Sequence, residues 1–189
     1  MDYARREIGE NEIPRAGSAI FQHAVDIYAS EINKTAAVWR SFRDDDLGWR
    51  PHPRSASVEE ILGHELLSGR RFFAEFLGAP EPPAGEVLPH EISIAACVAR
   101  LVELATPQLA WIAAQPERAW TERVKFFDIE RERIWIFWRR VLHSAHHRTQ
   151  LTVYLRLLGR PVPPVYGPTA DATWSGADPT TSIESAGRQ

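Results

Sequence analysis

Three of the chain's seven histidines, His143, His146 and His147, fall within five consecutive residues. In an α-helix the side chains at i and i+4 share one face with Cβ atoms about 6 Å apart, so His143 and His147 can offer imidazole nitrogens to one ion at about 2.1 Å each. A third ligand from another helix, with one position left open for water, would make the catalytic zinc arrangement rather than a closed structural one. His64, near the middle of an earlier helix, is the best placed third ligand. Seven histidines scattered at random over this length would give an i, i+4 pair in about one sequence in four. Spacing alone therefore establishes no metal. Position adds weight, because on a helical wheel His143, His147, Gln150 and Tyr154 share a narrow polar sector, with His146 and Arg139 at its edge. An inward polar sector costs about 1 to 3 kcal/mol per unpartnered group, so it implies a ligand, a metal or water.

Neighbouring groups sort by geometry. Glu65 follows His64 directly, and consecutive helical residues diverge by about 100°, so it is not expected to share the metal. His64-Glu65-Leu66-Leu67-Ser68 lacks the second histidine of a metalloprotease H-E-x-x-H. Neither His64 nor His143 has Glu three residues earlier, which removes a diiron carboxylate bundle. Glu60 stands three residues after Ser57, the spacing of a capping box, and reads as a cap rather than as a support for a ligand. Arg139 is a candidate for holding an anionic substrate, whereas Arg148 points away from the His143 sector and reads as a surface or dimer contact. Tyr154 reads as a core tyrosine bonded to backbone, and Tyr166 as either a closure of the pocket mouth or an anchor for the tail. Cys97 reads as buried and inert, and His23, His52 and His90 as surface or loop residues.

The elements that must position these residues are helical. Apolar residues from Ile20 to Phe42 recur at three- and four-residue steps and predict a helix from about Ser18 to Phe42. Gly48, Pro51 and Pro53 make a loop of the next stretch. A second helix should run from the Ser57 cap to about Leu77, where Gly78 and Pro80 stop it. A third runs from Ser93 to about Ala114, with Pro107 predicting a kink or break near Ala105. Trp120, Val124 and Phe126 partly alternate, which suits a short extended excursion. The last helix, Ile134 to Leu158, ends at the C-cap candidate Gly159 and would span roughly 35 to 40 Å. It is apolar on the side of Ile134, Phe137, Val141, Ala145 and Thr152 as well, and a helix apolar all round must be covered all round. A homodimer is therefore expected. With no convincing strand, the fold class is all-α, a four-helix up-down bundle. It divides into an N-terminal extension (1–17), the metal-binding bundle (18–160) and a Pro-rich C-terminal tail (161–189), with Val162, Val165, Tyr166 and Trp174 available to pack the tail on the bundle.

Composition agrees with one globular domain: 189 residues, 44% apolar, 25% charged. One cysteine excludes an internal disulfide and a Cys-rich zinc module. A net charge of -3, with lysine limited to Lys34 and Lys125, excludes a general phosphate-binding field and so nucleic acid as a partner. The opening residues lack the apolar core of a signal peptide, and no stretch holds about 18 uncharged residues. No membrane partner and a cytoplasmic location are expected.

The stretch from His143 to Asp171, HSAHHRTQLTVYLRLLGRPVPPVYGPTAD, closely resembles the DinB/YfiT-like family, which is distinct from the DNA polymerase sharing the DinB name. Asp46 to Gly78 resembles the same family's second helix and the loop before it. The resemblance implies a four-helix bundle, commonly dimeric and damage-inducible, that holds one divalent ion, zinc or nickel, on three histidines. Carried over by position these are His64, His143 and His147. The family often has Gly where this chain has Thr149, a packing variation. Members with an assigned activity include thiol-dependent S-transferases and isomerases, and others are hydrolases. The function implied is a metal-dependent enzyme activating water or a small thiol toward a small-molecule substrate. The alternatives are a noncatalytic metal-stabilised stress or interaction bundle, and a metal-free domain binding an organic acid.

Overall fold

In the computed structural model, which describes residues 6–172 and 183–187, four long helices carry the chain: α1 (Gln22–Arg40), α2 (Val58–Arg71), α3 (Ile94–Ala114) and, beyond the short α4 (Glu117–Thr121), α5 (Arg133–Leu157). α1 packs on α3 and α5, and α2 packs on the same two helices. Their shared interior holds Trp39, Trp120, Phe73, Phe137, Leu62, Ile112 and Leu151, each removed from solvent. Among the described residues no helix is long and apolar enough to cross a membrane.

α2 starts where its cap was expected. The Ser57 hydroxyl accepts from the Glu60 amide and the Glu60 carboxylate accepts from the Ser57 amide, at 3.2 and 2.7 Å. The preceding loop completes the cap, since the carbonyls of Trp49 and Leu47 accept from the Val58 and Glu59 amides. After Arg71 the helix widens into a π-helical segment, Phe72–Leu77, and stops at Gly78, whose φ of 79° suits a residue without Cβ. Arg133 donates to the Leu77 carbonyl at the end of the π-helical segment and so ties the start of α5 to the end of α2.

Three sequence expectations change. The class is not purely all-α: β1 (Arg123–Phe126) and β2 (Ile129–Glu132) pair antiparallel, with Arg123 opposite Glu132 and Phe126 opposite Ile129. Val124 and Phe126 do lie on the extended stretch that their alternation suggested. Of the kink or break expected near Ala105 there is no break: α3 runs through Pro107, because the residue sits on the exposed side of the helix, as does Glu103 four residues earlier, where water can replace the missing amide partner. Trp174 and the end of the tail lie outside the described residues.

The third change concerns Arg148. It is no surface contact but 2% exposed, donating at 2.5 Å to the Glu31 carboxylate of α1, at 3.1 Å to the Glu31 carbonyl and at 3.2 Å to the Thr35 hydroxyl. Its outward turn on the wheel faces α1, not solvent. Tyr166 anchors the tail on this pair, accepting from Arg148 and donating to Glu31, with Lys34 on its ring face and on the other Glu31 oxygen. Burial by itself would raise the Glu31 carboxyl, but Arg148, Lys34 and Tyr166 outweigh it and hold the group below its usual range. Removing one partner of a buried pair strands the other. Arg148→Met should therefore cost about 3 kcal/mol of unfolding free energy, and Glu31→Met/Arg148→Met distinctly less, as read from urea midpoints at constant slope.

Candidate metal centre

α2 and α5 lie side by side with the histidines at their shared outer seam. The ring centroids of His64 and His143 are 5.1 Å apart, and that of His147 is 4.7 Å from each. The Nε2 atoms of His64 and His143 stand 3.3 Å from one another. Two donors on a tetrahedral ion at 2.0–2.1 Å are themselves separated by about 3.3 Å. The donor set thus fits a first-row divalent ion, and His64, Glu65, His143 and His147 each offer a ligand atom within 4.8 Å of the others. His64 is exposed and the other two histidines are half-buried, which leaves an open side.

Glu65, which was not expected to share a metal with His64, nevertheless stands close to the site. Its divergence from His64 carries it into the interface between α2 and α5, where it is 2% exposed and its Oε1 lies 3.6 Å from Nδ1 of His143. Arg140 lies along it, donating to the Glu65 carbonyl at 3.0 Å and standing 3.4 Å from Oε1, while the Ser144 hydroxyl donates to Oε2 at 2.5 Å. Burial pushes the Glu65 carboxyl up; the Arg140 charge, the Ser144 bond and the nearby imidazoles outweigh burial and keep it ionised below the ordinary range. Arg140, and not the exposed Arg139, is the guanidinium that reaches the histidines. Gly69 makes room for it: a Cβ there would meet Arg140 Nη2 at 3.0 Å.

A signal for these residues was present. Glu65 falls on the stripe of Val58, Ile61, Leu62, Leu66 and Gly69, and Arg140 on that of Ile136, Phe137, Val141 and Ser144, so each is a charge on a core-facing face. Such a charge must be paired.

The polar sector of α5 continues past the histidines. His147 Nδ1 is 3.2 Å from Gln150 Oε1, Gln150 donates to the Tyr154 hydroxyl at 2.9 Å, and Tyr154 donates to the Ala56 carbonyl at 3.0 Å. Tyr154 is the backbone-bonded core tyrosine expected. Phe72 stacks on His143 at 6.0 Å and backs onto Phe126 of the hairpin, which closes one flank of the site. His146 is exposed beside His147, and His23, His52 and His90 are exposed elsewhere. Cys97 is buried, which pushes its thiol up to about 11 and keeps it inert.

A sequence model described as the DinB family matches residues 18–178. The chain belongs to the DinB family. Among solved structures it is similar to a DinB-like protein from Bacillus cereus ATCC 10987, with a TM-score of 0.66 and 19% identity over 76% of this chain and 95% of that one. A DinB-like protein from Bacillus subtilis, YjoA, has a TM-score of 0.60 and 21% identity over 76% of this chain and 96% of that one. At these identities the likeness is one of fold. No curated protein matches. Thr149, where the DinB family often has Gly, is exposed and donates to the Ala145 carbonyl, so within this chain it obstructs no neighbouring helix.

Burial first, and the Arg140 charge second, push the His143 imidazole down to about 4. With the folded value below the ordinary 6.5, the unfolded chain takes the proton first, so this contribution to stability is full above pH 6.5 and fades toward pH 4. In metal-free protein the His143 ring resonances should stay those of a neutral imidazole at pH 5. Acid destabilisation between pH 6.5 and 4 should shrink by about 1 kcal/mol in His143→Gln, the partly open ring being screened by water.

Proposed function

We propose that the chain is a metal-dependent enzyme that holds one divalent ion, zinc or nickel, on His64, His143 and His147, in the up-down bundle the family resemblance implies. The observation that carries this reading is the 3.3 Å separation of the His64 and His143 Nε2 atoms with His147 equidistant from both rings. Three neutral imidazoles suit zinc and nickel alike. A bound ion supplies Lewis acidity, drawing the pKa of a water or small thiol toward neutrality. The chain's own groups orient it: Glu65 and Arg140 set the His143 ring from behind, and the open side toward solvent admits a small-molecule substrate for hydrolysis or thiol transfer. Protein purified without a nickel-affinity step should contain close to one zinc or nickel ion per chain. Alanine at His64, His143 or His147 should weaken binding at least 100-fold in chelator competition, and absence of any ion from folded wild-type protein would overturn the reading.

A second reading, a noncatalytic metal-stabilised stress or interaction bundle, is favoured by the place of Glu65. The site's carboxylate sits behind His143 and is engaged by Arg140 and Ser144, away from the open side. His147→Ala separates the two. In an enzyme it abolishes turnover of a thiol, ester or amide with a modest loss of Tm; in a structural site Tm falls steeply and wild-type protein turns over none of them.

We also infer a cytoplasmic homodimer. The face of α5 that the sequence expected to need covering, with Phe137 and Val141, is already buried within the chain. A different stripe stays exposed, with Trp135 at 42%, Leu142 at 64%, Val153 at 53% and Leu157 at 61%, all on one side of the helix. Exposed apolar residues on one side, with Arg139, His146 and Thr149 among them, are suited to a twofold partner of mixed apolar and polar contact. Wild-type protein should run as a dimer in light scattering, and Leu142→Glu/Val153→Glu as a folded monomer.

A further inference from the structure

Among the three histidines only His147 has its second nitrogen in a hydrogen-bonded chain whose direction can be followed to a fixed end. That end is the Ala56 carbonyl, which accepts and never donates. Tyr154, 3.0 Å away and 3% exposed, must spend its single hydroxyl proton there. Its oxygen then accepts, so the Gln150 atom at 2.9 Å is the amide nitrogen. The planar carboxamide accordingly turns Oε1 toward Nδ1 of His147 at 3.2 Å. An amide oxygen has no proton to give, so Nδ1 must carry one. Turning the amide round would set Oε1 against a hydroxyl oxygen whose proton is already committed, or strip the Ala56 carbonyl of its partner.

We propose that Gln150 is a positioning residue that holds neutral His147 as the Nδ1–H tautomer, leaving Nε2 as the ring's one lone-pair donor. The other two rings lack this arrangement. Nδ1 of His143 stands between the Arg140 guanidinium at 3.4 Å, which can only donate, and Glu65 Oε1 at 3.6 Å, which can only accept, so opposite tautomers are favoured from the two sides. Nδ1 of His64 has no hydrogen-bond partner among the described residues. His147 is therefore the preset ligand and the other two adjust to it. The setting comes from the loop before α2: Ala56 precedes the Ser57 cap, and Trp49 of the same loop lies edge-on to Tyr154 at 5.3 Å.

The role in metal binding rests on the reading above, whereas the tautomer does not, and the test separates them. Long-range proton–nitrogen correlation spectra of metal-free, 15N-labelled protein at pH 8 should show His147 protonated at Nδ1. Gln150→Leu should populate both tautomers and weaken zinc binding about 10-fold in chelator competition, the lower end of the usual effect of a group that supports a ligand. Tyr154→Phe, which frees the amide to turn, should shift the tautomer in the same direction. Gln150→Glu keeps an acceptor at Nδ1 and should restore the Nδ1–H form in the Tyr154→Phe background. A wild-type His147 that is mainly Nε2–H, or a folded Gln150→Leu variant with unchanged tautomer, overturns the proposal. A preset tautomer in a chain that takes up neither zinc nor nickel supports it and overturns the metal reading instead.

Discussion

The pairing of Arg140 with Glu65 sets how α5 is turned against α2, and the site follows from that rotation. Both groups are almost wholly removed from water, and neither can stay charged there alone. α5 therefore has one rotation in which Arg140 meets Glu65 on α2 while Arg148, two turns on, meets Glu31 on α1. In that rotation His143 and His147 face His64. Apolar packing among Phe137, Leu151 and Leu155 would tolerate a slipped register more readily than these two ion pairs do. The histidine cluster is placed by these two ion pairs.

The helices were legible in the sequence because their signals are local. The Ser57 box, the apolar stripe of α1 and the stop at Gly159 are read within a few residues, and each is found where expected. The H-x-x-x-H pair was legible for a related reason, its spacing being helical, whereas His64 was named from its place in mid-helix and from the family resemblance. Arg148 was misread, and the pairing of Glu65 with Arg140 went unforeseen, because a charged side chain is ordinarily solvated and its burial depends on a partner 75 or more residues away. The continuity of α3 through Pro107 and the pairing of β1 with β2 likewise depend on what surrounds them, through exposure in one case and a four-residue ladder in the other.

The three histidines are unequal by construction. His64 stands at the surface, His143 is contested by groups of opposite hydrogen-bonding sense, and His147 is backed by neutral donors and acceptors that run to main chain. In the proposed metal site, ligands graded in this way would let whatever fills the free position exchange without releasing the whole set. The DinB fold supplies the frame, and the chemistry lies in how these few groups are presented.

The missing side chain at Gly69 links three positions. A Cβ at 69 would stand 3.0 Å from Arg140 Nη2, so a larger residue there must push the guanidinium aside, and with it the contact to the carboxylate at 65. Substitution at any one of these three positions is therefore felt at the other two.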